Sequence, residues 1–308
     1  MQTTPDILMV RPAFFGGNPE TLASNIFQKA APQSSEEQRY IHEKALNEFD
    51  ALVSLLRKND VNVLVYEDSP EPHKPDAIFP NNWLSTHSEG TIILYPLQAP
   101  SRRAERRQDI IDSLKTKFVV RHVLDLSHNE EEGLFLEGTG SMVLDRTYQL
   151  AYIALSSRTK PQVLDQLCNL MMFRGIIFEA EGPAKEEIYH TNVLMSVGDK
   201  FVIVCMDIIP FHLDVADLLA SFKQTQKEVI KISYEQVLNF AGNVLEIQNQ
   251  KGEKLVVMST RAYQAFNSSQ IKQIERYARI LHSPLNTIET YGGGSARCMM
   301  AEIFLAHL

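Results

Sequence analysis

Few cysteines, a single tryptophan, no surplus of positive charge and no long apolar run set the first bounds on this 308-residue chain. The three cysteines, Cys168, Cys205 and Cys298, are odd in number and far apart, with no C-x-x-C pair. That pattern excludes a disulfide framework and a cysteine-rich zinc site, and reads as free thiols in a reducing compartment. None of the nine histidines falls in an HExxH-like pair, so no metal is expected. A net charge of -8 argues against a nucleic-acid partner, which usually needs a basic stripe, while small charged metabolites stay open. No apolar run nears membrane-spanning length, and Met1-Gln2-Thr3-Thr4-Pro5-Asp6 lacks a basic region leading into an apolar stretch, so the expected location is the cytoplasm with no membrane partner. The absence of a Pro/Ser-rich linker or low-complexity tract leaves one domain over residues 1–308, and an apolar fraction of 44% suffices for its core.

What is present is a weak internal repeat, in which a polar turn, a short strand, a second apolar strand and a helix recur along the chain. One unit runs from Glu137 through Ser141–Leu144 and Leu150–Leu155 into a helix around Val163 to Met172. Another starts at His190, with Val193–Ser196 and Phe201–Cys205. A third has Ala241-Gly242-Asn243-Val244-Leu245, Leu255–Met258 and a helix around Ile271 to Ile280. Ahead of them, Ser34-Ser35-Glu36-Glu37 reads as a capping box opening a helix with the stripe Ile41, Ala45, Phe49, Leu52 and Leu56, and Val61, Val63 and Val65 alternate as a strand.

Chemistry gathers where these repeats begin. Cys298 closes Thr290-Tyr291-Gly292-Gly293-Gly294-Ser295-Ala296-Arg297-Cys298, and three glycines serve backbone that takes unusual angles or approaches a ligand closely. Taken alone, Cys298 is a buried small hydrophobe on a last strand spanning 298–304. Two further polar segments, Leu136-Glu137-Gly138-Thr139-Gly140-Ser141 and Tyr189-His190-Thr191-Asn192, shift the reading, because a cysteine nucleophile needs a histidine and a carboxylate brought to it by the fold. Glu137, His190 and Cys298 all sit at the start of a repeat's first strand, so repeats set around an axis would converge them in one pocket. Arg297 either lowers the thiol pKa or points to the other strand face.

Five segments then carry a family resemblance: Pro75-Asp76-Ala77-Ile78-Phe79-Pro80-Asn81-Asn82, Pro100-Ser101-Arg102-Arg103, Leu136-Glu137-Gly138-Thr139, Leu155-Ser156-Ser157-Arg158-Thr159 and the cysteine loop. In this order the chain resembles, over nearly its whole length, the pentein guanidine-modifying enzymes: arginine deiminases, dimethylargininases and amidinotransferases. The resemblance implies an α/β fold, a five-bladed propeller of ββαβ units around a central channel. It also implies Cys298 as nucleophile, His190 as general acid and base, and Glu137 as the carboxylate holding both substrate nitrogen and histidine. Asp76 would contact an α-amine, and Arg103 and Arg158 an α-carboxylate. Against the last two stand plainer readings, Arg102, Arg103, Arg106 and Arg107 as the solvated face of a helix after Pro100 and Arg158 as a surface loop residue. Asn25 is either a further substrate contact or a helix-start residue.

Departures from the family pattern point to the substrate. Asn82 and Asn192 stand where aspartates are usual, and Gly140 where a third is. A guanidinium is a permanent cation that calls for paired carboxylates, whereas a neutral ureido group offers N–H donors and one carbonyl, which suit an amide. The chain is similar to citrulline-utilisation hydrolases also in Phe14-Phe15-Gly16-Gly17-Asn18-Pro19-Glu20-Thr21 and Phe79-Pro80-Asn81-Asn82-Trp83. Citrulline is thus the expected substrate, cleaved to ornithine, carbon dioxide and ammonia without a cofactor. The alternatives are an arginine dihydrolase or deiminase, a dimethylargininase, an amidinotransferase, or a non-enzymatic ribosome-associated translation factor of the same fold. The expected partner is a small amino acid, and a homo-oligomer stays open.

Overall fold

In the computed structural model, which describes residues 1–308, fifteen strands form five separate three-stranded sheets. The strands are β1 Asp6–Arg11, β2 Asn62–Glu67, β3 Leu84–His87, β4 Thr91–Leu94, β5 His122–Asp125, β6 Val143–Asp145, β7 Leu150–Ala154 and β8 Arg174–Phe178. They continue with β9 Met195–Val197, β10 Phe201–Val204, β11 Glu228–Lys231, β12 Leu245–Gln248, β13 Lys254–Ser259, β14 Arg279–Ser283 and β15 Ala301–Ile303. Each sheet has one pattern: a first strand antiparallel to the middle strand, which lies parallel to the third across a helical crossover. In the sheet β15-β1-β2 the first strand comes from the far end of the sequence, so this blade closes the ring between Leu8 and Ala301. The expected five-bladed arrangement of ββαβ units is what the chain forms.

The first strands β3, β6, β9 and β15 are buried throughout, and Thr86 Oγ1 donates to Glu302 O while accepting from Phe304 N, joining neighbouring blades at the axis. The helices lie outside. Ser35–Lys58 buries Ile41, Ala45, Phe49, Leu52, Val53 and Leu56, with Glu36 and Glu37 in its first turn and Arg57 and Lys58 in its last, the distribution the helix dipole favours. Only half of the expected capping box forms there: Ser34 Oγ accepts from Glu37 N at 3.5 Å without the reciprocal bond.

Two sequence boundaries are corrected. The helix expected around Ile271 to Ile280 is Ser268–Glu275, started by a complete capping box at Asn267. Ile280 belongs to β14 and pairs with Val256, because a parallel partner for β13 outranks another helical turn. The strand expected over 298–304 is only Ala301–Ile303; Cys298 N donates to Ser295 O and Met299 N to Ala296 O, which holds the cysteine in the turn before the strand.

Residues 2–4 cross the end of the channel opposite those turns. Gln2 Nε2 donates to Leu144 O and Val197 O, and its Oε1 accepts from Arg146 N. Thr3 Oγ1 donates to Gln248 Oε1 and Thr4 Oγ1 to Ile303 O, so three consecutive residues tie four blades together. Truncation by Gln2→Ala removes hydrogen bonds to three backbone groups and is expected to lower unfolding free energy by about 2–3 kcal/mol, read as a shifted urea midpoint at unchanged slope.

Candidate active site

Each blade passes through a tight turn immediately before its first strand, and these turns share a hydrogen bond from residue i to residue i−3. Asn82 N bonds Phe79 O, Gly140 N bonds Glu137 O, Asn243 N bonds Phe240 O and Cys298 N bonds Ser295 O. In the blade of β9 the related bond runs from Val193 N to His190 O. The repeat thus presents Asn82, Gly140, Asn192, Asn243 and Cys298 at comparable places around the axis. Gly140 is obligatory, since a Cβ there would lie 2.7 Å from the His190 ring and collide with the Asn82 amide.

A small pocket opens above this ring, and its lining includes Asn25, Asp76, Asn82, Arg158, His190 and Cys298. Six of the nine expected site residues therefore meet in one pocket. Glu137 joins them, fully buried, with Oε2 at 2.8 Å from His190 Nε2 and Oε1 accepting from Gln98 N. Asn192 joins through Cys298: Asn192 Nδ2 donates to Sγ at 3.6 Å, and Asn243 Nδ2 does so at 3.3 Å.

The ninth expected residue, Arg103, is not in the pocket. Its Nε donates to Leu97 O and lies 3.2 Å from Glu130 Oε2, with about a third of the side chain exposed. Arg102 takes the inward position, 2 % exposed, bidentate to Glu105 and 3.5 Å from both Asp76 Oδ2 and Glu137 Oε2. The cause is the 3₁₀ turn Pro100–Glu105: at three residues per turn, adjacent side chains point about 120° apart, so only one can face the channel. The solvated-face reading thus holds for Arg103 and fails for Arg102.

Arg158 is buried, stacks over the Tyr189 ring, donates to Ser24 Oγ at 2.7 Å, and keeps its Nε as a buried donor without a partner. Asp76 Oδ2 accepts from Asn18 Nδ2. Asn25 caps no helix; its Nδ2 donates to Gly293 O, which also accepts from Tyr189 OH, so two blades grip the glycine loop. Gly293 has a φ of +64°, and a Cβ there would strike Asn25, which accounts for one of the three glycines. Arg297 points away from the thiol, to Glu302 and Met300 O.

Sequence reasoning missed Arg102, Tyr189 and Asn243. A signal for Asn243 existed, because Asn192-Val193-Leu194 and Asn243-Val244-Leu245 repeat the same tripeptide at the same place in successive units. Arg102 and Arg103 are indistinguishable without the phase of the turn.

The electrostatics define the resting protonation. Burial pulls the His190 imidazole down to about 4, against the hydrogen bond and charge of Glu137. Burial pushes Glu137 up, but Arg158, then His190 and Arg102, outweigh it and hold the carboxyl well below its usual range. At neutral pH Glu137 is therefore ionised and His190 neutral. Its Nε2 donates to Glu137, which leaves Nδ1 as the free base. No hydrogen bond links the thiol to the imidazole, so a reacting carbon would lie between two groups that line the same cavity. This constellation can perform nucleophilic attack by sulfur with proton transfer by histidine; no cluster of three or more metal-ligating side chains is present.

Two predictions follow from the geometry. A His190 pKa of about 4 against 6.5 in the unfolded chain means that the unfolded state takes up the proton first. Stability should hold above pH 6.5 and fall by up to about 3 kcal/mol towards pH 4, the fall in Tm being shallower in His190→Asn. Asn243→Ala removes one of the two amides on Sγ and is expected to lower kcat roughly tenfold with KM little changed, measured by steady-state kinetics.

Comparison with known proteins places this geometry. No curated protein sequence matches the chain. Among solved structures, the product-bound N-terminal domain of ArgZ, an arginine dihydrolase from the Ornithine-Ammonia Cycle in Cyanobacteria, superposes with a TM-score of 0.75 at 15% identity, covering 97% of both chains. AgrE with L-arginine gives 0.74 at 16% identity, over 97% of this chain and 40% of that one. A dimethylarginine dimethylaminohydrolase bearing an S-methyl-L-thiocitrulline adduct gives 0.66 at 15% identity, over 98% and 100%. These likenesses establish the pentein fold. The family model for N,N dimethylarginine dimethylhydrolase, eukaryotic, matches residues 11–305. With nearly the whole chain matched, the protein belongs to the N,N-dimethylarginine dimethylhydrolase family, cysteine-dependent hydrolases acting on amidino C–N bonds.

Proposed function

We propose that the protein hydrolyses the ureido group of citrulline to ornithine, carbon dioxide and ammonia. The observation that carries this reading is Asn82, whose side chain lines the cavity and whose Nδ2 is a buried donor with no acceptor in the protein. A buried N–H without a partner is costly, by about 1–3 kcal/mol, so it favours a ligand that brings an acceptor. The ureido oxygen is such an acceptor; a guanidinium has none. Charge points the same way. Around the ring of turns stand Asn82, Gly140, Asn192 and Asn243, and the one carboxylate beside His190, Glu137, is already shared by Arg102, Arg158 and His190. A buried substrate cation would face two guanidinium groups with no second carboxylate near the reacting carbon.

In this reading Asp76 binds the α-amine and the free Nε of Arg158 the α-carboxylate, while Arg102 pairs with Asp76, Glu105 and Glu137. Asn25 holds the glycine loop against the bound amino acid. The Cys298 thiol passes its proton to His190 and sulfur attacks the ureido carbon. The C–N bond to the ornithine side chain then breaks as the imidazolium returns the proton to the departing nitrogen. A carbamoyl group remains on Sγ. Water attacks it, His190 takes a proton, the C–S bond breaks with its electron pair on sulfur, and the released carbamate decays to carbon dioxide and ammonia. Glu137 stabilises the imidazolium in both halves. All five blades supply a turn to the site, so residues 1–308 act as one catalytic unit.

A second reading, arginine dihydrolase, is favoured by the superposition on ArgZ and AgrE. Ornithine release by the purified protein decides between them, with citrulline, arginine and dimethylarginine supplied separately. Turnover of citrulline alone, lost in Cys298→Ser and lowered at least roughly tenfold in Asn82→Asp, is the expected result. Consumption of arginine without citrulline would overturn the ureido argument.

A further inference from the structure

The glycine loop before the nucleophile is anchored twice. Its first anchor is Gly293 O, which accepts from Asn25 and Tyr189 on the side of the pocket. The second lies further along: Ser295 Oγ donates to Glu289 Oε1 at 2.7 Å, and both residues are fully buried. Ser295 O in turn accepts from Cys298 N, so this hydroxyl fixes the residue that opens the turn carrying the thiol.

Glu289 is itself held in place from several directions. It belongs to the helix Asn286–Gly292, whose first turn donates from Thr287 N and Ile288 N to Glu48, and its backbone O accepts from Gly293 N where the helix ends. Arg261 Nε lies 3.2 Å from Glu289 Oε2, a charge contact without the alignment of a hydrogen bond. The Arg261 guanidinium also lies over the Phe240 ring, and Phe240 O accepts from Asn243 N. Arg261 therefore touches both the carboxylate behind the cysteine turn and the turn that presents the second amide to sulfur. Burial pushes the Glu289 carboxyl up, against Ser259, Ser295 and the charge of Arg261. A carboxylate that does not line the pocket is costly to bury, yet the groups this one holds all belong to the turns around the thiol.

We propose that Glu289 is a positioning residue for the nucleophile: through Ser295 it sets the cysteine turn so that Sγ rests on the amides of Asn192 and Asn243. It rests on the covalent reading above for Cys298 as nucleophile, and not for the choice of citrulline. Because Asn25 and Tyr189 hold Gly293 separately, release of Ser295 shifts the sulfur while the amino-acid end of the pocket keeps its grip. The consequence is a loss in kcat with KM held. A sulfur drawn off its two amides also loses the donors that favour its thiolate, so it reacts more slowly with any electrophile. The hydrogen bond, rather than the charge on Glu289, carries the effect, so an uncharged residue that keeps the acceptor oxygen preserves most of the function.

The test compares wild type with Ser295→Ala, Glu289→Gln and the double variant, with Tm recorded for each; if Ser295→Ala does not fold, Glu289→Met removes the acceptor instead. Ornithine release is measured on whichever of citrulline, arginine and dimethylarginine the wild type consumes. Beside it, the rate of Cys298 alkylation by iodoacetamide is followed by peptide mass spectrometry, with the half-buried Cys168 as internal reference. Ser295→Ala is expected to lower kcat roughly tenfold with KM within about twofold, and to slow alkylation of Cys298 severalfold relative to Cys168. Glu289→Gln should stay within about threefold of the wild-type kcat, and the double variant should be no slower than Ser295→Ala, because both changes act on one bond. Wild-type kcat and alkylation in a folded Ser295→Ala protein would overturn the proposal, as would a loss carried by KM, a Glu289→Gln loss as large as that of Ser295→Ala, or additive losses in the double variant. Where no substrate is turned over, the alkylation ratio alone decides. Full activity in Cys298→Ser would instead remove the covalent reading, and the positioning role with it.

Discussion

The ionised Glu137 carboxylate, wholly buried, is the interaction on which the site depends. Isolated in the interior it would be costly by several kcal/mol, so the surroundings must hold it charged. They do so with groups from three blades: Arg158 and Arg102 by charge at 3.5–3.6 Å, His190 by a 2.8 Å hydrogen bond, and the backbone of Gln98. Each partner is fixed in return. His190 is held with Nε2 on the carboxylate and Nδ1 free, and Arg102 draws in Asp76 and Glu105. Orientation of the base and placement of the head-group residues are thus consequences of one buried charge.

That network needs the ring to be closed. Glu137, His190 and Cys298 come from three blades, and the cysteine belongs to the segment that runs into β15, paired with β1. The cysteine turn is therefore also the seam of the propeller. Gln2, Thr3 and Thr4 secure the seam from the opposite end of the channel, where they hydrogen-bond to four blades.

The thiol's surroundings set the chemistry apart from a cysteine–histidine ion pair. The sulfur rests on the amides of Asn192 and Asn243, and the histidine is neutral at rest because burial outweighs Glu137. An amide ring instead of a carboxylate ring also places both donors and acceptors around the thiol.

Much of this was legible in the sequence, because the repeat is written in residue order. Turn, strand, strand and helix recur at visible spacing, and Glu137, His190 and Cys298 occupy equivalent places in their units, so five blades and a convergent site follow from periodicity and resemblance together. The Asn-Val-Leu tripeptide at 192 and 243 carries the same information for the second amide. What the sequence left undetermined are matters of rotation and long-range pairing. Which of two adjacent arginines enters the channel depends on the phase of a 3₁₀ turn, and Arg102 prevails because Asp76, Glu105 and Glu137 wait for it inside. Whether Ile280 extends a helix or pairs with Val256 depends on a strand 24 residues earlier in the chain. Whether Arg297 serves the thiol or Glu302 depends on which side of a turn its side chain leaves. Local sequence sets hydrophobic period, caps and turns, whereas facing and burial are settled only when distant segments compete for the same space, and that competition is resolved in the folded ring.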